Sequence, residues 1–523
     1  MTAPILPSYV RDTWHVPNGE GRPVFDAVTG DTVAHVSTEG IDFRAVLEHG
    51  RNTGGPALRD LTFPQRAALL EDLGGFLRGH RDELYALSAR TGATLFDARF
   101  DVDGGLAVVR SYAELGRTVL PDARVYVEDE PIPLGRRAGS FLGRHVCVPL
   151  RGVAVQVNAY NFPVWGPLEK LSQSLLAGVP AVIKLATATA FLTARLVELV
   201  VESGLLPPGS VQLLCGGVGD LLEHLTEQDL LSFTGSAATA HLLRNHPTVT
   251  SRAVRFNAEA DSLNCSILGP DAVPGTPEFD LYVEQVVTEM TVKAGQKCTA
   301  IRRALVPAPL VGAVLEALTD RLSRVTVGNP AAEGVRMGAL AGIAQRDEVR
   351  QAVAALEGAT KRVFGDPYRV DTVDADPERG AFLSPILLHG PDPDRAEPHE
   401  VEPFGPVATV LAYDRPEDAV RLAARGQGSL AGSLVTADVE LTSRMVLDLA
   451  PWHGRILVLS GAHAAESTGH GSPLPQLVHG GPGRAGGGEE MGGLRGVLHH
   501  MQRSAVQAGP DVLDALPGGR TPG

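Results

Sequence analysis

Of the four cysteines in this chain of 523 residues, one stands where a core thiol would not be placed. Cys298 lies in "VKAGQKCTAIRR", Val292 to Arg303, with no large aliphatic residue within two positions on either side. Core cysteines are normally held among aliphatic neighbours. A sulfur among glycine, lysine, glutamine and threonine points to a thiol that substrate can reach, the setting of a nucleophile. Two further residues suit the same chemistry. Glu259, in "RFNAEADSLN", follows the β-rich run "RAVRF" and is flanked by alanines, although a lone glutamate is ordinarily a solvated surface group. Asn161, in "NAYNFPVWG", comes directly after a short β-rich run, where a turn asparagine is the common reading. Together the three supply a nucleophile, a base and an amide donor, the set that acyl chemistry on a thiol requires.

A second group suits a phosphate-bearing ligand. "FTGS", Phe233 to Ser236, ends one expected strand and opens a helix. Backbone N–H groups at such a helix start attract phosphate, and Ser236 adds a hydroxyl, though every N-cap looks alike. "VIKL" places Lys184 at the carboxyl end of another strand, where an ammonium would meet a ribose or a phosphate. Only five of the 46 basic residues are lysine (170, 184, 293, 297 and 361). A chain so strongly biased to arginine keeps lysine by chance or where a compact ammonium is needed. "GPGRAG", Gly481 to Gly486, matches the dinucleotide fingerprint by letter. No strand–turn–helix unit surrounds it and no acidic residue follows at the required distance, so it reads as a glycine-rich surface loop.

These residues need a scaffold. The first 120 residues read mostly as helix, with apolar residues three and four apart in "FPQRAALLEDLGGFLRGHRDELYALSARTG". Ala123 to Gly152, broken by Pro and Gly between β-branched residues, reads as a hairpin or extended arm. From Gly152 short strands alternate with helices: "GVAVQV", "PAVIKL", "SVQLLC" and "DLLSFTG" are the strands. That alternation predicts βαβ crossovers and a parallel sheet, whose ligands bind at the carboxyl ends of the strands. A second helix-and-strand series runs from about Asp280 to Val458, broken by the loop "HGPDPDRAEPHEVEPFGP".

The bulk numbers exclude several classes. A net charge of −15 disfavours nucleic acid and anionic membranes as partners. Four scattered cysteines without a CxxC pair suit a reducing cytoplasm and offer no zinc site, so no metal is expected. The first residues lack the pattern of a signal peptide, and no apolar run reaches the roughly 20 residues of a membrane span.

"YNFPVWG", "VIKLA", "FTGS", "NAEADSLN", "GQKCTA" and "EPFGPV" occur in the order, and at about the separations, of the aldehyde dehydrogenase superfamily, which the chain resembles over nearly its whole length. "EADSLNC", "GQKCTAIRR", "HGGPGRAGGGEEMGGL" and "MQRSAVQAGP" narrow the resemblance to the branch acting on CoA-linked semialdehydes in aromatic-compound degradation. The resemblance implies an α/β fold with a Rossmann-like cofactor domain (1–122 and 153–262), an α/β catalytic domain (263–485) and a β oligomerisation arm (123–152 and 486–523). A homodimer or larger homo-oligomer follows. It implies that Cys298 attacks the aldehyde, Asn161 with the Cys298 N–H holds the oxyanion, hydride passes to a nicotinamide, and Glu259 activates water. Lys184 and Glu402 would hold the cofactor's riboses, Gly235 and Ser236 its pyrophosphate, and Phe404 would pack near the nicotinamide ribose. The thiol pKa is expected to fall when cofactor and nearby donors favour the thiolate.

Three positions depart from the family pattern: Leu185 replaces a proline, Ala240 a glycine, and Thr187 a glutamate. The last removes a carboxylate that would repel a 2′-phosphate, so NADP+ is expected to be preferred over NAD+. Two rival readings stand beside an enzyme acting on CoA-linked aldehydes: one acting on free aldehydes, and a non-catalytic relative. CoA-acylating chemistry needs no glutamate base, so Glu259 argues against it.

Overall fold

The computed structural model of the protein describes residues 3–128, 130–137, 139–487 and 492–516. Its two largest sheets each have seven strands. In the first, the order across the sheet is Arg255–Glu259, Leu230–Thr234, Ala154–Val157, Ala181–Lys184, Val211–Leu214, Ser8–Val10 and Thr13–His15. The first five run parallel and the two amino-terminal strands are antiparallel additions. The parallel strands are short and almost wholly buried, as expected when helices cover both faces. Chain order reverses between Ala154–Val157 and Leu230–Thr234, which opens a crevice beyond their carboxyl ends. Asn158 to Asn161 and Gly235 to Ser236 leave the sheet at that crevice. Register aligns their neighbours: Val157 lies opposite both Lys184 and Phe233, and Thr234 opposite Glu259.

The second sheet runs Lys361–Phe364, Ile386–Gly390, Val407–Tyr413, Arg303–Pro307, Cys265–Leu268, Ser429–Val435 and His453–Leu459. Only its edge strand Lys361–Phe364 is antiparallel. Separate apolar cores pack behind the two sheets. The Cys298 loop enters this sheet directly, since Arg303, at the end of "GQKCTAIRR", begins the Arg303–Pro307 strand.

Leu142–Pro149 pairs antiparallel with Met501–Ala508 over all eight residues, and Tyr126–Val127 and Ile132–Pro133 pair with its other edge. The two stretches expected to form an arm thus join each other within one chain. Residues 129, 138, 488–491 and 517–523 of those stretches lie outside the described residues.

Several sequence-based expectations change in detail. The amino-terminal region is not mostly helical at its start, because Arg22–Phe25 and Thr32–Val36 form a hairpin. The helix expected from Phe63 onward breaks at His80 into Phe63–Gly79 and Arg81–Ser88. Between the strands Val211–Leu214 and Leu230–Thr234, where the alternation predicts a crossover helix, the chain winds only a short 3₁₀ turn, Leu221–His224. Glu259 is the last residue of its strand instead of following it.

Candidate active site

Cys298 is delivered by a strained turn. Lys293, Ala294 and Gly295 have consecutive positive φ values of 52°, 51° and 69°. For the first two, the left-handed conformation costs about 1–2 kcal/mol each. Gly295 is required, because a Cβ there would stand 2.2 Å from the Gly405 carbonyl oxygen. The turn is held from several sides. Lys293 N–H donates to Asp97 Oδ1 at 2.8 Å, from the capping box that opens the helix Leu95–Thr118. The Gln296 side chain donates to the Lys293 carbonyl and accepts from Ala341 N–H, both at 3.0 Å. Asn264, in "EADSLN", donates to the Cys298 carbonyl at 2.8 Å and to the Ala300 carbonyl at 3.0 Å. The strain is thus over-determined by the surroundings, the usual condition for keeping it at a functional site.

Cys298, Glu259 and Asn161 line one cavity. Asn161 directs one of its two N–H donors to the Gln296 carbonyl at 3.0 Å, which seats the amide against the cysteine loop. Cys298 is partly exposed and shares the cavity wall with the Glu259 carboxylate. Phe100, Phe162 and Trp165 form an edge-packed aromatic wall with ring centroids 5.6–6.0 Å apart. The cavity is therefore apolar on one side and charged on the other.

The charged side contains residues that sequence reading did not assign. His479 stands between two carboxylates: Nδ1 lies 3.1 Å from Glu169 Oε1, and Nε2 lies 3.1 Å from Glu259 Oε2. Both ring nitrogens can donate only in the imidazolium form. Burial opposes that charge, yet the two carboxylates raise the His479 pKa to about 10. Burial alone would raise the Glu259 carboxyl, but His479, the Cys298 thiol and Lys170 hold it well below the usual carboxylate range. Lys170 donates to Thr234 Oγ1 at 2.8 Å, on the strand beside that of Glu259. The Cys298 thiol is pushed upward by burial and then by Glu259. The chain's own groups therefore favour the protonated thiol, and the expected fall in its pKa does not come from them.

The "GPGRAG" loop has a structural place. Ala260 N–H donates to the Ala485 carbonyl at 3.1 Å, and a Cβ on Gly486 would stand 1.8 Å from the Ala258 carbonyl oxygen. The loop thus packs directly on the strand end that carries Glu259.

The residues expected to hold a dinucleotide gather at the crevice of the first sheet. Lys184 is partly buried, and no carboxylate pairs with it among the described residues; burial, then Arg22, lowers its pKa. Thr187 opens the 3₁₀ turn Thr187–Thr189 and lines a cavity with Arg22, Tyr160 and Gln345. Ser236 caps the helix Ala237–Arg244, accepting from Thr239 N–H at 3.3 Å. Gly235 N–H donates to the Glu259 carbonyl at 3.1 Å. Glu402 and Phe404 reach the crevice from the opposite side, where Phe404 meets the Tyr160 ring edge-on at 6.1 Å. Arg302 ties that loop to the cysteine loop. Its guanidinium donates to the Gly405, Gly295 and Lys297 carbonyls at 2.7, 2.9 and 3.2 Å. Glu402 Oε1 is buried without a hydrogen-bond partner, and burial lifts the carboxyl pKa to about 7 despite Arg302. A buried orphan acceptor of this kind fits a ribose hydroxyl.

The aldehyde dehydrogenase family model matches residues 14–496, and the chain belongs to that family. It is an NAD(P)-dependent aldehyde dehydrogenase. Over 479 residues it is 47% identical to the 3,4-dehydroadipyl-CoA semialdehyde dehydrogenase of Aromatoleum evansii, covering 91% of this chain and 93% of that one. The fold is shared with lactaldehyde dehydrogenase from Escherichia coli, at a TM-score of 0.82 and 22% identity over 97% of this chain and 99% of the other. It is also shared with betaine aldehyde dehydrogenase from Staphylococcus aureus in complex with NAD+, at a TM-score of 0.82 and 20% identity over 96% and 95%.

Proposed function

We propose that the chain oxidises a CoA-linked semialdehyde to the carboxylic acid, with NADP+ preferred over NAD+, through a thioester on Cys298. The observation that carries this reading is the convergence of the Cys298 thiol, the Glu259 carboxylate and the Asn161 amide on one cavity. The Cys298 thiol gives up its proton to solvent, and the thiolate adds to the aldehyde carbon to give a thiohemiacetal. The oxyanion is met by the uncommitted Asn161 N–H and the Cys298 backbone N–H. The nicotinamide dinucleotide supplies a hydride acceptor when bound; Lys184, Thr187, Gly235, Ser236, Glu402 and Phe404 would hold it. Glu259 then takes a proton from water, which attacks the thioester and releases the acid. A carboxylate beside the sulfur favours hydrolysis over transfer to CoA.

His479 and Glu169 are positioning residues in this scheme. The imidazolium keeps Glu259 ionised in a setting whose burial would otherwise protonate it. Thr187 supports NADP+ because it puts a hydroxyl, not a carboxylate, where the 2′-phosphate would lie, with Arg22 and Lys184 nearby as cations. The name of the Aromatoleum relative supports a CoA-linked semialdehyde, and the same wall of Phe100, Phe162 and Trp165 suits an unbranched acyl chain.

We assign 1–122 with 153–262 to cofactor binding, 263–485 to catalysis, and the sheet of Leu142–Pro149 with Met501–Ala508 to oligomerisation, giving a homodimer or larger assembly. Four unpaired cysteines support a cytoplasmic setting. No helix among the described residues is long and apolar enough to cross a membrane. The test is kcat/KM for a CoA-linked semialdehyde and the matching free semialdehyde, each with NADP+ and NAD+. The reading expects the CoA thioester with NADP+ to lead. Equal turnover of the free semialdehyde would refute the CoA assignment, and a lead for NAD+ would refute the cofactor assignment.

A further inference from the structure

We propose that an open groove beside the aldehyde cavity holds the nucleotide end of a CoA thioester, with Arg78, Arg81 and Arg110 taking its phosphates. The inference rests on the reading that the substrate is CoA-linked, and names where this chain would grip it. The groove is open to solvent and lined by Arg78, Arg81, Arg110, Leu106, Leu115 and Val119 among others. Two chain segments run from the cavity into it. The helix Leu95–Thr118 gives Phe100 to the cavity and Arg110 to the groove, while the loop after Ser472 gives Pro473 to the cavity and Pro475 and Gln476 to the groove.

The spacing suits the ligand. Ten helical residues separate Phe100 from Arg110, about 15 Å at 1.5 Å per residue. A pantetheine arm has about as many backbone bonds as four amino-acid residues, which reach about 14 Å when extended. An acyl chain seated at Cys298 would therefore leave the thioester near the aromatic wall and carry the phosphates to the arginine end. Leu106, Leu115 and Val119 give the groove an apolar floor for the arm.

The charges also suit it. Arg78 and Arg110 are exposed, and neither pairs with a carboxylate among the described residues; the nearest acid to Arg81, Asp82, stands 3.9 Å away. The two acids of the groove are already engaged: Tyr85 O–H donates to Asp103 at 2.6 Å, and Arg117 donates to Glu114 at 2.7 Å. Three guanidinium groups thus face the groove against one carboxylate without an ion pair among the described residues, Asp103. In a chain of net charge −15, a polyanionic thioester needs such a cationic patch to approach at all. Guanidinium groups bind phosphate oxygens in pairs, which favours arginine here.

The test compares wild type with Arg78→Gln/Arg110→Gln on two substrates bearing the same semialdehyde, a CoA thioester and a pantetheine thioester. These side chains are exposed, so the fold is not at stake. For the CoA thioester, the variant is expected to raise KM roughly 10- to 100-fold with kcat retained, as loss of charge-assisted phosphate contacts would. Wild type and variant should converge on the pantetheine thioester. Raised ionic strength should erode the wild-type advantage for CoA. If wild type prefers the CoA thioester and the variant keeps that preference, the groove assignment is wrong while the CoA reading stands. If wild type treats both thioesters and the free semialdehyde alike, the CoA reading itself fails, and the groove with it.

Discussion

Replacing His479 by Gln removes the cation that keeps Glu259 ionised while leaving a hydrogen-bond donor of similar size. The imidazolium Nε2 lies 3.1 Å from Glu259 Oε2, and both side chains are largely buried. At that distance an effective dielectric of 20 gives roughly 5 kcal/mol of attraction, equivalent to roughly four pH units on the carboxyl pKa. Glu259 now sits well below the usual carboxylate range, with burial opposing His479, the thiol and Lys170. Without His479 the burial cost dominates, and the carboxyl midpoint should rise into or above the usual carboxylate range. The assay is kcat against pH between about 5 and 8.5, followed by absorbance of the reduced nicotinamide under conditions where thioester hydrolysis limits turnover. Wild type should be flat on the acid side, and His479→Gln should show a new acid limb. Glu169→Gln should lie between them, because one carboxylate still holds the imidazolium at neutral pH. A His479→Gln profile as flat as wild type would refute the reasoning, and an equal loss at every pH would reduce His479 to packing.

The same pair predicts a stability window. The His479 pKa is raised from its ordinary 6.5 to about 10, so its contribution is fully present below pH 6.5 and is lost as pH rises through about 10. Thermal melting of wild type should fall across that window more steeply than that of His479→Gln; parallel curves would contradict the assignment. Thr187→Glu should shift the ratio of kcat/KM for NADP+ over NAD+ toward NAD+ by ~30- to 1,000-fold, on the scale of 2–4 kcal/mol for a lost contact and a gained repulsion. An unchanged ratio would mean that this position does not set the preference. Truncation after Gln502 removes most of the strand that pairs with Leu142–Pro149, and should lower the oligomer size on size exclusion. A truncated chain eluting with the parent would contradict the arm assignment.

Cys298, Glu259 and Asn161 were legible because each carries its signal locally. Two stand at the carboxyl ends of recognisable strands, and the third is a thiol in a polar loop. Lys184 and Ser236 were legible for the same reason, and parallel register then sets Lys184 and Phe233 on either side of Val157. Glu169 and His479 were not, because their meaning lies in a contact between residues 310 positions apart. In sequence Glu169 is one of five polar residues on the helix Trp165–Ala177, and His479 opens a glycine-rich loop. Lys170 had a weak signal as one of five lysines, but its partner Thr234 is 64 positions away. The amino-terminal hairpin was missed because its strands of four and five residues are too short for alternation to stand out. "GPGRAG" had the letters of a phosphate loop; its last glycine, Gly486, instead allows close packing against the Glu259 strand, while Gly481 and Gly483 pack on Ser429 and Gln427.

The central claim is that catalysis passes through a thioester on Cys298 that Glu259 helps to hydrolyse. The most direct measurement is intact and peptide mass spectrometry of Glu259→Gln after a single turnover with semialdehyde and NADP+. The account predicts one acyl adduct per active site, located on the peptide containing Cys298, in proportion to the burst of reduced cofactor, and none in Cys298→Ala. Absence of the adduct while reduced cofactor still accumulates, or an adduct that persists in Cys298→Ala, would contradict it.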